Sequence, residues 1–146
     1  MQPRAVMKPH RRLRVKDIMS QPVTAVRDTD TIGFAELAMK LVESRHVPVV
    51  DADGRLVGVL SARDALRAEA QRDGLEAVAK LMHEKPHTVR PQTSAEHAID
   101  LLIEHRIGCL PVVDDDGRPI GIVTDTDVLV VARQALEGEP FARARA

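Results

Sequence analysis

Two carboxylates stand at positions in the chain where they could take part in binding. Asp64 follows Ser61 by three residues, and Asp127 follows Thr124 at the same spacing. At the start of a helix, such a carboxylate can accept hydrogen bonds from both hydroxyls of a ribose, and the free N–H groups there can hold a phosphate. The same spacing is that of a capping box, in which both side chains serve only the helix end. The spacing alone favours capping and leaves ligand binding open.

A possible phosphate contact lies upstream of the first of these carboxylates. Arg45 and His46 precede Pro48 by three and two residues. A guanidinium suits phosphate because its planar fork donates two hydrogen bonds at once. The alternative is a solvated cation that stabilises the end of a helix.

One segment matches a zinc-protease pattern. His83–His87 is His-Glu-Lys-Pro-His, but two histidines four residues apart share a metal only on a helix. Pro86 disfavours a helix and should leave Lys85 extended. Asp114–Gly117 lacks the ligand spacing of an EF-hand, and Cys109 is expected to be a core residue. We therefore predict no metal site and, since no glycine-rich phosphate loop or nucleophile elbow is present, no enzyme.

The elements that position these residues occur twice. Pro48–Arg55 is PVVDADGR, and 63 residues later Pro111–Arg118 is PVVDDDGR. The same register holds without a gap from Val15 to Leu129. The chain therefore contains two copies of one unit.

Each copy predicts the element order β-α-β-β-α. An extended run, Val23–Val26 or Thr88–Val89, precedes a helix that Thr31 caps in the first copy and a Thr93–Glu96 capping box begins in the second. Two apolar runs around an Asp-Gly turn then indicate a hairpin, and another helix follows. Neither copy could bury both faces of its sheet, so the copies should pack on each other. The predicted hairpin strands are Val47–Val50 with Leu56–Leu60, and Leu110–Val113 with Ile120–Val123.

The register divides the chain into four segments. They are a basic N-terminal tail (1–14), a first unit (15–72), a second unit (73–135) and a C-terminal tail (136–146). The N-terminal segment carries Lys and Arg but no acid, and we expect a solvated tail that could contact a partner.

Composition excludes several function classes. The net charge of −1 argues against a surface that binds nucleic acid as a whole, and the scarcity of aromatic residues disfavours a single-stranded nucleic-acid binder. One cysteine permits no intrachain disulfide, which fits a reducing cytoplasm. No apolar run approaches the roughly 18 residues of a membrane span. We expect a cytoplasmic protein without a membrane span.

Both copies carry one longer signature. An apolar residue precedes Pro-Val-Val-Asp, Asp-Gly-Arg follows, and Gly-x-x-Ser/Thr-x-x-Asp closes the pattern at Gly58–Asp64 and Gly121–Asp127. Asp17–Met19 or Lys80–Met82 precedes each copy. This pattern, from Val15 to about Ala132, strongly resembles the cystathionine-β-synthase (CBS) domain family.

The resemblance implies an α/β fold in which two β-α-β-β-α CBS units pack with pseudo-two-fold symmetry, as a Bateman module. It implies two clefts that bind an adenosyl ligand such as AMP, ADP, ATP, NAD or S-adenosylmethionine, as a regulator and not as a cofactor. The residues it implies are Asp64 and Asp127 for the ribose; Ser61, Thr124, Arg45 and His46 for sugar or phosphate; and Val23, Thr24, Val59, Thr88 and Ile122 for the adenine pocket.

The two clefts should differ. Gly108 and Cys109 match Arg45 and His46 in the second copy, so only one copy offers a cation and an imidazole. Asp125 adds negative charge where a phosphate would approach. We therefore expect different affinities or different ligands in the two clefts.

The resulting hypothesis is a regulatory module, a dimer by resemblance, that senses an adenine nucleotide and acts on an unidentified partner protein through a ligand-dependent conformational change. Three alternatives remain. One is a structural dimerisation module with no bound nucleotide, and another is an enzyme, which turnover of an added nucleotide would reveal. The third is a nucleic-acid binder that uses the basic tail, which salt-sensitive binding would reveal.

Overall fold

The computed structural model describes residues 12–70 and 74–138. Most of the two predicted tails, residues 1–11 and 139–146, lies outside the described residues. The first unit contains β1 (Val26–Arg27), α2 (Ile32–Leu41), β2 (His46–Val50), β3 (Leu56–Ser61) and α3 (Ala62–Ala70), preceded by α1 (Val15–Ile18). The second contains α4 (Ala95–His105), β5 (Cys109–Val113), β6 (Pro119–Thr124) and α5 (Asp125–Leu136), preceded by a 3-10 turn (Val78–Lys80) and β4 (His83–Glu84).

The hairpins form as the repeat predicts. β2 pairs antiparallel with β3, and β5 pairs antiparallel with β6. Gly54 and Gly117 take φ values of 79° and 81° in the two turns, a conformation that favours glycine. The preceding Asp51 and Asp114 each accept two backbone N–H bonds, at 2.9 to 3.0 Å. The Asp-Gly signal is therefore confirmed in both copies.

The cap of α4 differs from the prediction by one residue. Thr31 caps α2 as expected, since its hydroxyl accepts the Phe34 N–H at 3.2 Å. In the second unit, however, Ser94 is the N-cap and accepts the His97 N–H at 3.1 Å. The Thr93 hydroxyl instead accepts the Arg90 N–H at 3.0 Å. The capping box at Thr93–Glu96 is therefore wrong, because the first of two adjacent hydroxyls closes the preceding turn.

The segment that precedes each unit packs onto the other unit. Val15, Ile18 and Met19 lie in the apolar core of the second unit. Val78 lies in the core of the first unit, and Met82 packs against that core. The boundaries of the sequence repeat therefore differ from the boundaries of the two packed cores.

Backbone pairing follows the same exchange. Ser20 bridges Ile122 antiparallel beside β6, and β4 pairs antiparallel with β3 of the first unit. Val89 bridges Val112 in parallel, as β1 pairs with β2. Each hairpin is thus flanked on one side by a strand or bridge of its own unit and on the other by the segment that leads into the neighbouring unit.

The units also meet directly, as predicted. Val59, Cys109 and Ile122 form a buried cluster with Val23 packed against it. At the hairpin turns, the Leu56 N–H donates to the Gly117 carbonyl at 2.9 Å. Within residues 12–70 and 74–138, no helix has both the length and the apolar character that crossing a membrane requires.

Candidate functional site

Two cavities open where the units meet. The larger, of about 400 Å³, lies between the start of β2 in the first unit and the start of α5 in the second. The smaller, of about 160 Å³, lies between the start of β5 and the end of β3. We call them the Asp127 cleft and the Asp64 cleft, after the carboxylate that lines each one. Each cleft thus combines the carboxylate of one unit with the first residues of a strand in the other.

The predicted site residues separate between these clefts. The Asp127 cleft brings together Val23, Thr24, Arg45, His46, Ile122, Thr124 and Asp127. The Asp64 cleft brings together His46, Val59, Ser61 and Asp64. Thr88 lines neither of these two cavities.

The neighbours of Thr88 occupy the place expected of it. Pro86 and His87 line the Asp64 cleft. At the offset of 63 residues they match Val23 and Thr24, which line the Asp127 cleft. The repeat register therefore contained the signal for both residues.

A hydroxyl outside the predicted set contacts the Asp127 carboxylate. Asp127 Oδ2 accepts the Thr124 N–H at 2.9 Å and the Thr124 hydroxyl at 3.1 Å, which completes a capping box. Asp127 Oδ1 accepts the Ser20 hydroxyl at 2.9 Å. The cap therefore uses one carboxylate oxygen, while the other already accepts a hydroxyl that lines the cleft.

Asp64 repeats the cap without the additional hydroxyl. Its Oδ2 accepts the Ser61 hydroxyl at 2.8 Å and the Ser61 N–H at 3.4 Å. Its own N–H donates to the Ser61 hydroxyl at 3.1 Å. Among the described residues, Oδ1 receives no hydrogen bond. Capping and ligand binding are thus compatible at both carboxylates, because the cap occupies only one oxygen of each.

Charges in the Asp127 cleft are mixed. Arg45 lies four residues beyond the end of α2, which does not fit a helix-end cation, and its side chain forms no ion pair within the described part of the chain. Glu43, Asp125 and Asp127 line the same cleft. One guanidinium therefore faces three carboxylates, and it is the group there best suited to an anion.

His46 occupies an unusual position, since it lines both clefts. Burial lowers the pKa of its imidazole below 6.5 and Arg45 acts in the same direction, while Asp125 and Asp64 oppose them. Burial also raises the pKa of the Cys109 thiol to about 12, with Asp125 as a second cause. At neutral pH the neutral forms of both side chains are favoured.

The zinc-protease pattern does not form a helix. His83 and Glu84 lie in β4, and His87 stacks on His105 with ring centroids 3.8 Å apart. Lys85 has a φ of 49°, so the expectation of an extended Lys85 is wrong; the chain turns there as it leaves β4. Within the described residues, no cluster of three or more His, Cys, Asp or Glu side chains could hold a metal ion.

Fold and clefts together define a tandem α/β module with two related cavities between its units. The CBS domain profile matches residues 15–71 and 78–133, and the chain belongs to the CBS domain family. The neighbouring solved structures are CBS domain pairs, and their mixed α/β architecture agrees with the predicted fold class. CBS domain pairs are generally regulatory modules and not catalytic ones.

Individual relatives agree with this assignment. The chain is 39% identical to the CBS domain-containing protein YhcV of Bacillus subtilis, over 80% of this chain and 83% of that one. The solved CBS domain pair of protein MJ0100, in complex with 5′-methylthioadenosine and S-adenosyl-L-methionine, is 28% identical with a TM-score of 0.79, over 85% of this chain and 98% of that one. CBSX2 in complex with AMP is 32% identical with a TM-score of 0.73, over 84% and 98%.

Other curated relatives are much longer. They include a homoserine O-acetyltransferase of Methanohalophilus mahii and an inosine-5′-monophosphate dehydrogenase of Methanocaldococcus jannaschii. The chain spans only 24% and 23% of their lengths.

Proposed function

We propose that this chain is a regulatory module that binds an adenosyl ligand in the Asp127 cleft and passes the state of that cleft to a partner protein. One observation carries the proposal. Asp127 Oδ1 lies outside the helix cap and accepts a hydroxyl, that of Ser20, in a cavity that Arg45 also lines. The two hydroxyls of a ribose can donate to the same oxygen or replace Ser20 there.

The cleft has suitable surroundings for the rest of the ligand. Val23 and Ile122 offer apolar contact for an adenine, while Arg45 and the start of α5 offer positive charge for a phosphate. Its volume of about 400 Å³ falls within the roughly 300–1,000 Å³ of ligand pockets. The ligands of the related pairs, AMP, S-adenosyl-L-methionine and 5′-methylthioadenosine, share an adenosine group, which supports this class.

The charges indicate an order among candidate ligands. With Glu43, Asp125 and Asp127 facing one Arg45, each added phosphate brings more repulsion. We therefore expect AMP or S-adenosylmethionine to bind more tightly than ATP without a divalent cation.

A ligand in this cleft would touch both units, since β2 and α5 supply opposite walls. It can therefore favour one arrangement of the units, provided that its affinity for the two arrangements differs. We propose a second copy of the chain as one partner, at α2, where Phe34, Leu37 and Leu41 are 53%, 55% and 76% exposed. The regulated effector protein is a further partner.

The test is thermal unfolding, followed by calorimetry, of the chain with AMP, ADP, ATP, NAD and S-adenosylmethionine. A ligand at 100 times its dissociation constant should add about 2.7 kcal/mol to the free energy of unfolding. Asp127→Asn should reduce the shift, while His97→Asn on the exposed surface of α4 should keep it. If none of the five raises the unfolding temperature, the structural dimerisation module becomes the better hypothesis.

A further inference from the structure

The two clefts share one lining residue. Among the described residues, His46 alone lines both cavities. Its Cε1 and Nε2 atoms lie 3.0 and 3.3 Å from the point that a Cβ on Gly108 would occupy, and Asp125 Oδ2 lies 3.9 Å from the same point. The absent side chain at position 108 thus leaves space in which an imidazole and a carboxylate approach each other.

The backbone of His46 is held by hydrogen bonds, while its imidazole is free of them within the described residues. The Ser44 hydroxyl holds the backbone of His46, since it donates to the carbonyl at 2.8 Å and accepts the N–H at 3.3 Å. Within the described residues, the imidazole itself makes no hydrogen bond. A neutral imidazole presents one donor and one acceptor, and a protonated imidazole presents two donors.

Charges from both clefts act on this ring. Asp125 on α5 and Asp64 on α3 each favour its protonated form, while burial and Arg45 favour the neutral form. An anion bound beside Arg45 would join the two carboxylates in favouring the proton. The other titratable groups that share a cleft wall with His46 are Glu43 and Asp127 on one side, and His83, His87 and Cys109 on the other.

We propose that His46 couples the two clefts, so that a change in the Asp64 cleft alters the affinity of the Asp127 cleft for an anionic adenosyl ligand. The coupling acts through protonation of the imidazole. The Asp64 carboxylate favours the protonated form, and the phosphate of a ligand in the Asp127 cleft is attracted to that form. A ligand that binds Asp64 weakens this effect of its carboxylate, so His46 is less readily protonated. This inference rests on the proposed function, since it requires a phosphate-bearing ligand in the Asp127 cleft.

Direct electrostatic repulsion alone predicts the opposite effect of an Asp64 substitution on AMP affinity, which makes the inference testable. Without the relay, Asp64→Asn removes a negative charge from the neighbourhood of the phosphate, so it should leave AMP binding unchanged or strengthen it. With the relay, Asp64→Asn lowers the tendency of His46 to hold a proton, and AMP binding to the Asp127 cleft should weaken.

The experiment is a calorimetric titration with AMP at pH 6.5 of four chains: wild type, Asp64→Asn, His46→Asn and the double variant. We expect Asp64→Asn to weaken AMP binding at the Asp127 cleft about fivefold in the wild-type background. In the His46→Asn background it should have no weakening effect. If Asp64→Asn strengthens binding or leaves it unchanged in both backgrounds, or weakens it equally in both, the coupling is refuted. If none of the four chains binds AMP, the proposed function itself fails.

Two controls separate coupling from structural damage. Thr31→Ala removes the cap of α2 in the same unit but keeps the Asp64 charge and lines neither cleft, so AMP affinity should stay at the wild-type value. His97→Asn, on the exposed face of α4, should keep the response to Asp64→Asn. Titrations in two buffers of different ionisation enthalpy give a second readout, because AMP binding should take up protons in the wild type and fewer in His46→Asn.

Discussion

The sulfur of Met19 lies 2.8 Å from the point at which a Cβ on Gly121 would stand. The pair joins the segment before the first unit to β6 of the second, and Met82 Sδ approaches Gly58 in the same way, at 2.6 Å. In both places a glycine permits a methionine from a crossing segment to lie against the strand. This contact explains why the Gly-x-x-Ser/Thr-x-x-Asp motif begins with glycine. The explanation requires no contact between that glycine and a ligand.

Gly121→Ala should therefore destabilise the fold. Overpacking of this kind costs about 1–3 kcal/mol, measurable by urea unfolding. Met19→Ala should recover part of that loss in a double-mutant cycle, because the closest atom to the new Cβ is the end of a flexible side chain. Gly74→Ala, which meets nothing within 4 Å, is the matched control and should be close to neutral.

Gly58→Ala should be harder to rescue. Its Cβ would also lie 2.9 Å from the backbone carbonyl oxygen of His83, which pairs with β3 through β4. Met82→Ala should therefore recover less stability here than Met19→Ala recovers for Gly121→Ala. Equal recovery at both glycines would show that the methionine side chains alone set the cost.

The sequence predicted the helices and strands more accurately than the contacts between them. The offset of 63 residues relates equivalent positions such as Asp64 and Asp127, and it located both hairpins and both closing helices. It contains no information on contact. That Asp127 shares a cleft with Arg45, and that Val15 belongs to the core of the second unit, follow from the crossing of the leading segments, which only the assembled fold reveals.

Local competition explains the smaller errors. Thr93 and Ser94 are both good capping residues, and no local rule decided between them. Ser20 resembles any exposed serine in sequence, so its bond to Asp127, 107 residues away, could not be inferred.

Capping and ligand binding at α5 should be separable. Thr124→Val removes the cap hydroxyl, and the free energy of unfolding should fall by about 0.5–2 kcal/mol, with a small loss of AMP affinity. Asp127→Asn keeps an acceptor for the cap but weakens its hold on a ribose, so affinity should fall by more than stability. Chemical unfolding and calorimetry on the same samples give both quantities. The reverse ranking would assign Asp127 to the helix end alone.

The thiol of Cys109 should be almost unreactive in the folded chain. Burial raises its pKa from 9.0 to about 12, so very little thiolate is present near neutral pH. With an aromatic disulfide reagent at pH 8, the native chain should react on the order of 100-fold or more slowly than the same chain in urea. The unfolded chain is an internal control, because Cys109 is the one cysteine of the sequence. Similar rates in both states would contradict its buried position.

The stability of the fold should depend on pH through His46. Burial lowers the pKa of its imidazole below 6.5, so between the folded and unfolded pKa values the unfolded chain binds more protons than the folded chain. The contribution of His46 is therefore fully present above about pH 6.5 and is lost as the pH falls through the folded value. The measurement is urea unfolding from pH 7.5 to pH 5, in steps of roughly half a pH unit. Because His46→Asn removes this titration, its free energy of unfolding should change less with pH than that of the wild type. His97→Asn should follow the wild-type profile; if His46→Asn does as well, the imidazole is no less solvated in the folded chain than in the unfolded one.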